Sequence, residues 1–118
     1  MKVLVVRPME LPAVQEIDHT LSAMQELVGG TIQAVYPFDD PVALVCNDEG
    51  KLLGLPWNRA LTDDHGVPYD IVCGTFFIAG LKEDDFASLT EQQIEKYKDK
   101  YSNEIILSVP KQPQAQKL

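Results

Sequence analysis

The sequence is poor in three features that would indicate a class of function: basic residues, cysteines and long hydrophobic runs. Ten Lys and Arg stand against eighteen Asp and Glu, so the formal net charge is −8. This balance gives no positive field to gather phosphates, and we expect no direct binding to nucleic acid. No apolar run approaches the roughly 18 residues that cross a bilayer, and Arg7 and Pro8 interrupt the start too early for a signal peptide. We therefore expect a cytoplasmic protein with no membrane partner.

The two cysteines, Cys46 and Cys73, both stand in apolar surroundings. They lack the two-residue spacing of a redox pair and the four-ligand pattern of a zinc site, so we expect reduced, buried thiols. The acids and the histidine between Asp63 and Asp70 match neither a calcium loop nor a helical histidine pair. No metal or other cofactor is predicted.

What the chain does contain is the composition of a folded domain, with 45% hydrophobic and 8% aromatic residues. Hydrophobic periodicity predicts two helices, one capped at Asp18 or Thr20 and ended by Gly29-Gly30, the other opened by capping boxes at Ser88 and Thr90. Gly74 suggests a bulge or a close backbone approach. The predicted elements are strand 2–6, helix 20–28, strand 31–38, a hairpin of strands 42–46 and 51–55, an irregular stretch 56–68, strand 69–81, helix 88–101 and strand 104–109.

This order of elements predicts an α+β fold in a single domain of residues 1–109. Its core would be a mixed, largely antiparallel sheet of about five strands with both helices on one face. Residues 110–118 are polar and rich in proline and glutamine, so we expect a flexible tail. If strand 104–109 extends to a neighbouring chain, a homodimer forms, and otherwise we expect a monomer.

Negative charge is concentrated in the middle of the chain, where residues 39–85 hold ten acids and three bases. One interpretation is an acidic surface that imitates a phosphate backbone or docks on a basic partner protein. The other is turn chemistry, because Asp and Asn side chains bond the backbone of tight turns. The candidate partner-binding residues are Asp63, Asp64, Asp84 and Asp85.

The run Trp57-Asn58-Arg59 is the best local candidate for a ligand site. An indole can stack on a ring, an amide can bond a polar edge, and a guanidinium can bind a phosphate or carboxylate. Together they would suit a small anionic or nucleotide-like ligand. The alternative is structural: Trp57 packs on the sheet, Asn58 caps a short helix, and Arg59 pairs with Asp63 or Asp64.

A third hypothesis is a cysteine-dependent enzyme that uses Cys73 as the nucleophile. The residues around Cys73 lack the glycine pattern of a nucleophile elbow, and spacing does not place His19 or His65 beside it. A buried core cysteine is the alternative, and no catalytic residue is assigned.

Several short stretches, weak alone, are specific in combination. They are Leu27-Val28-Gly29-Gly30, Tyr36-Pro37-Phe38-Asp39-Asp40, Asn47-Asp48-Glu49-Gly50-Lys51, Leu55-Pro56 followed by Asn58-Arg59-Ala60-Leu61, and Gly74-Thr75-Phe76-Phe77-Ile78. With them, residues 1–101 resemble domain of unknown function 3846, a bacterial and phage family without an assigned activity. The resemblance implies a small accessory or anti-defence protein of a phage or mobile element. The sequence shows no paired acid and base, no metal cluster and no phosphate loop, so the first functional prediction is a noncatalytic binding protein. Its partner would be a host protein, bound through the acidic central region or an exposed sheet edge.

Overall fold

A computed structural model describes residues 1–107, which form two helices and eight strands arranged in two sheets. Every paired strand in this part of the chain is antiparallel. The elements in chain order are β1 Lys2–Val6, β2 Ala13–Glu16, α1 Leu21–Val28, β3 Ile32–Val35, β4 Val42–Asn47, β5 Trp57–Thr62, β6 Pro68–Cys73, β7 Phe76–Lys82, β8 Asp85–Ala87 and α2 Glu91–Ser102.

The larger sheet has the order β2-β1-β7-β4-β3, and the short strand β8 pairs with the far end of β7. Strand β7 is central because it is apolar on both faces: Phe76, Phe77, Ile78 and Ala79 are fully buried. Ile78 is the partner of Leu4 in β1 on one side and of Leu44 in β4 on the other. The α+β class is confirmed.

The two helices cover opposite faces of this sheet, so the prediction that they share one face is wrong. Val3 and Val5 pack with α1, whereas Leu4 and Val6 pack with α2 and the β5–β6 hairpin. Neighbouring residues of a strand point to opposite faces, and β1 carries apolar side chains on both. Each face therefore needs its own cover: α1 covers one face, and α2 together with the β5–β6 hairpin covers the other.

The predicted helix ends are confirmed. Thr20 caps α1 by accepting a hydrogen bond from the backbone N–H of Ala23 at 3.1 Å, and Gly29 ends the helix with φ at 81°. Thr90 and Gln93 form the capping box of α2. Ser88, the other candidate cap, instead accepts a hydrogen bond from the backbone of Lys2 at 2.9 Å.

The predicted hairpin of 42–46 with 51–55 is wrong. Strand β4 pairs with β3 along one edge and with β7 along the other, so no edge remains for the segment after Asn47. That segment forms turns through Gly54 instead. Gly50 lies so close to β6 that a Cβ atom there would stand 2.5 Å from the carbonyl oxygen of Cys73, which fits only glycine.

The stretch expected to be irregular holds strand β5, which pairs with β6 in a separate two-stranded sheet. The single strand predicted over 69–81 is two strands, because Gly74 takes φ at 87° and turns the chain from β6 into β7. Residues 104–107 form no strand. The rest of the predicted last strand, 108–109, and the predicted tail, 110–118, lie outside the described residues.

Candidate functional site

Arg59 is buried at the centre of β5, with none of its surface exposed. Its five N–H groups all donate to oxygen atoms of the chain. Nε and Nη2 donate to the carbonyl oxygen of Tyr101 at 3.0 and 2.9 Å, and Nη2 also donates to that of Glu10 at 2.7 Å. Nη1 donates to the Asn58 side-chain oxygen at 2.8 Å and to its carbonyl at 3.3 Å. These acceptors are uncharged, so a cation is held by amide dipoles.

The position of Arg59 beside α2 explains how a buried charge is tolerated. Tyr101 lies in the last turn of α2, where backbone carbonyls lack helical partners and the helix dipole is negative. Burial lowers the pKa of Arg59, while Tyr101 and Glu104 favour its charged form. The guanidinium therefore joins the end of α2 to β5 and to the β1–β2 connection.

Asn58 completes the same network from the neighbouring position. Its amide nitrogen donates to the carbonyl oxygens of Val6 at 2.9 Å and Gly74 at 2.8 Å, so it joins the two sheets. Asn58 and Arg59 thus serve the fold, and neither side chain is accessible to a ligand in this conformation. Ligand binding at Trp57, Asn58 and Arg59 stays a prediction without support from this geometry.

Trp57 is half-buried and lies apart from this network, against an open groove of about 460 Å³. Tyr69 and Ile71 of β6 also line the groove, together with Lys51 and Asp70, which form an ion pair. The hydrogen bond between them lowers the pKa of Asp70 and raises that of Lys51. Tyr69 is not among the predicted site residues, although its alternation with Ile71 along β6 could have indicated it.

Both cysteines line a neighbouring cavity of about 150 Å³ beside Lys51. Burial raises the pKa of each thiol, which disfavours the nucleophilic thiolate. His19 Nε2 lies 3.2 Å from Asp85 Oδ1, and His65 is in the β5–β6 turn, so neither histidine lines this cavity. Within residues 1–107, no three His, Cys, Asp or Glu side chains are grouped to hold a metal.

Three acidic connections are neighbours, because one of them shares a cavity with each of the other two. They are the β3–β4 connection, the β5–β6 turn and the β7–β8 turn. Tyr36 lines one cavity with Glu83 and Asp84, and Phe38 lines another with Asp63 and Asp64. We call this surface the acidic end, which comprises Asp39, Asp40, Asp63, Asp64, Glu83 and Asp84.

The acids at this end differ in their contacts. Asp63 accepts hydrogen bonds from the backbone N–H groups of His65 and Val67 at 2.8 and 2.9 Å, which shape the turn. Asp40 accepts from Lys96 at 2.6 Å and from Tyr97 at 2.7 Å, and these bonds lower its pKa.

Two of the predicted acids are exposed, and their carboxylates have no hydrogen bond or ion pair inside residues 1–107. They are Asp64 and Asp84. Asp85, the last of the four predicted acids, accepts a hydrogen bond from the backbone N–H of Phe86 at 2.7 Å and also contacts His19. Tyr36, which the sequence analysis did not single out as a site residue, is 62% exposed beside Asp84.

The fold and these surfaces define an α+β domain with two covered sheet faces and a concentrated acidic end. The chain belongs to the family described as domain of unknown function (DUF3846), whose model matches residues 1–102. This confirms the resemblance found in the sequence. No curated protein and no solved structure matches the chain. In the portion that the structure describes, neither helix has the length and apolar character needed to span a membrane.

Proposed function

We propose that this protein is a noncatalytic interaction protein that binds a basic surface of a partner protein through the acidic end. The observation that carries the proposal is the placement of two acidic turns, β5–β6 and β7–β8, beside the acidic β3–β4 connection. Lys82, Lys96 and Lys100 also lie at this end, but its six acids leave an excess of negative charge. Such an excess attracts a partner of the opposite charge and speeds the encounter. In the accessory role suggested by the family resemblance, the partner is a host protein in the cytoplasm.

The contacts of individual acids support this role. Asp64 and Asp84 are exposed and form no ion pair within residues 1–107, although Lys100 and Lys82 line the same cavities. Tyr36 is an exposed aromatic residue beside Asp84, and tyrosine is enriched in protein interfaces. An acidic surface with an aromatic residue beside it suits a basic protein better than a small apolar ligand.

The thiols support the noncatalytic part of the proposal. A cysteine nucleophile needs a lowered pKa or an adjacent base. Burial instead raises the pKa of Cys73, and both histidines lie elsewhere. Two free, buried cysteines also suit the reducing cytoplasm.

Capture from host lysate with a matched pair of variants tests the proposal. The test variant carries Asp64→Lys and Asp84→Asn. Asparagine is chosen because residue 84 has φ at 64°, which asparagine tolerates well. The control variant carries Glu26→Lys and Glu95→Gln, exposed positions on the two helices, and changes the net charge by the same amount.

We expect the test variant to recover the captured protein roughly tenfold less well than the unmodified chain. The reason is that charged residues at the edge of an interface change the rate of association. The control variant should recover it equally well. Equal recovery by both variants, or an equal loss in both, would rule out the acidic end as the binding surface.

A further inference from the structure

Strand β3 stands at one end of the larger sheet, and one of its two edges has no partner strand among the described residues. Asp48 donates its backbone N–H to the carbonyl oxygen of Thr31 at 2.8 Å, which fixes the alternation of hydrogen bonds between β3 and β4. By this alternation, the N–H and C=O groups of Ile32 and Ala34 point away from β4. Within residues 1–107 these four groups make no hydrogen bond. An added strand would satisfy all of them.

Exposed acids lie at the start of β3. Asp48 and Glu49 are both exposed, and their carboxylates form no ion pair inside the described chain. Lys51 lines the same cavity as these two acids, but it is already paired with Asp70. The start of the free edge therefore carries an excess of negative charge.

The acidic end lies at the other end of β3. Tyr36 follows the strand directly and is 62% exposed. It shares a cavity with Glu83 and Asp84 and with one base, Lys82. Since a strand rises about 3.3 Å per residue, roughly 17 Å separate Thr31 from Tyr36. An extended segment of about six residues would span this edge and bring its two ends close to acids.

Charge distinguishes β3 from β2, the strand at the opposite end of the sheet. The cavity beside Val14 of β2 is lined by two bases and two acids, which are Lys2, Lys98, Glu91 and Glu95. Glu16 of β2 also lies 3.4 Å from the N-terminal amine. A basic segment is therefore attracted more strongly to β3. A second copy of this chain fits β3 poorly, because it would bring its own net charge of −8 to these acids.

We infer that the partner protein adds an extended, basic segment to the free edge of β3, as a further strand of the sheet. The segment carries Lys or Arg near each end, and an apolar side chain of the segment contacts Tyr36. In this mode of recognition, main-chain hydrogen bonds supply affinity and the side chains supply specificity. The inference rests on the proposed function, because the acidic end supplies the acids at one end of β3.

Fluorescence anisotropy of a labelled peptide, titrated with the full chain, tests the inference. The probe is a heptapeptide of alternating Lys and Val, and the control peptide alternates Glu and Val. We expect the basic peptide to bind and the acidic peptide not to bind, because the acids beside β3 repel the latter.

A matched pair of variants locates the binding edge. Ala34→Pro removes an outward N–H group and places a ring where the added strand would lie, so we expect about tenfold weaker binding of the basic peptide. Val14→Pro makes the same change at an outward-facing residue of β2 and should leave the binding unchanged. Proline is tolerated on edge strands where its nitrogen faces away from the neighbouring strand, and urea denaturation checks that both variants fold.

Amide hydrogen exchange of the unmodified chain gives a second measurement that needs no variant. The basic peptide should slow exchange at the N–H groups of Ile32 and Ala34, because they become hydrogen-bonded. Exchange at Val14 and Glu16, which face outward on β2, should not change.

Four results would overturn strand addition at β3. They are no binding of the basic peptide at millimolar concentration, equal binding of the acidic peptide, protection at β2 instead of β3, and unchanged binding by a folded Ala34→Pro variant. Capture from lysate separates this inference from the proposed function. If Asp64→Lys with Asp84→Asn lowers capture but Ala34→Pro does not, strand addition is wrong and the acidic end remains. The reverse result would overturn the proposed function and support strand addition.

Discussion

Arg59 and the acidic end use charge in opposite ways. The guanidinium of Arg59 is fully buried, and each of its N–H groups has an oxygen acceptor. Asp64 and Asp84 lie on the surface without an ion pair in residues 1–107. A buried charge must be satisfied inside the fold, whereas an exposed one stays available to another molecule. The comparison indicates that Arg59 serves stability, and it is consistent with the proposal that the acidic end binds a partner.

The largest expected effect is at Arg59. Arg59→Met removes five hydrogen bonds and leaves the carbonyl oxygens of Tyr101 and Glu10 without this donor. Because unsatisfied buried groups and lost charged hydrogen bonds are both costly, we expect a loss of about 3 kcal/mol or more in the free energy of unfolding. Urea denaturation followed by Trp57 fluorescence measures it.

Two further variants sharpen this prediction. Arg59→Lys should not restore stability, because an ammonium group has three donors and cannot reproduce the planar fork. Arg7→Met is the control, since Arg7 makes one long hydrogen bond, of 3.5 Å to Gln15, and its loss should change stability by less than about 1 kcal/mol. Similar losses at both arginines would contradict a special role for Arg59.

A smaller effect, with a defined pH dependence, is expected at Asp40. Lys96 and Tyr97 lower the pKa of Asp40 in the folded chain. The stabilisation is therefore present above the unfolded pKa of about 4 and is lost as the pH falls through the lower, folded pKa.

Thermal unfolding from pH 7 to pH 3 checks this sign. The difference in melting temperature between the unmodified chain and Asp40→Asn should be largest near neutrality and shrink on acidification. Asp64→Asn is the control because Asp64 makes no ion pair among residues 1–107. If this difference in melting temperature grew towards low pH, it would contradict a lowered pKa of Asp40 in the folded chain.

The smallest effect on stability is expected where the effect on binding is largest. Asp64→Lys with Asp84→Asn should change the free energy of unfolding by less than about 0.5 kcal/mol, as surface substitutions usually do. Urea denaturation of the test and control variants gives this value directly. A loss of several kcal/mol in the free energy of unfolding would show that these acids serve the fold, as Arg59 does. It would remove the contrast between the buried arginine and the exposed acids.

Local features of the fold could be predicted because neighbouring residues determine them. Thr20, Gly29 and the Thr90 capping box mark the helix ends as expected. Strands β1 and β4 follow from apolar runs that need cover on both faces. The exposed strand β2 was missed, because its sequence AVQE has one apolar stretch of two residues and little β-propensity.

The site could not be predicted because it depends on contacts between distant segments. Asn58 and Arg59 are polar types that are usually exposed, and their burial follows from acceptors on Val6, Gly74, Glu10 and Tyr101. This same polarity made β5 look irregular. The acidic clusters were visible in the sequence, but their gathering around the β3–β4 segment required the topology.

The place of β7 between β1 and β4 has a consequence for synthesis on the ribosome. β1 can pair with β2 as soon as Glu16 has been made, but Leu4 also pairs with Ile78, so its other edge stays open until about 60 further residues have been added. Contacts between such distant segments form slowly during folding, because a long loop must close first. Until then the apolar residues of the nascent β1 have no permanent cover, and chaperones that bind emerging chains have a defined segment to protect.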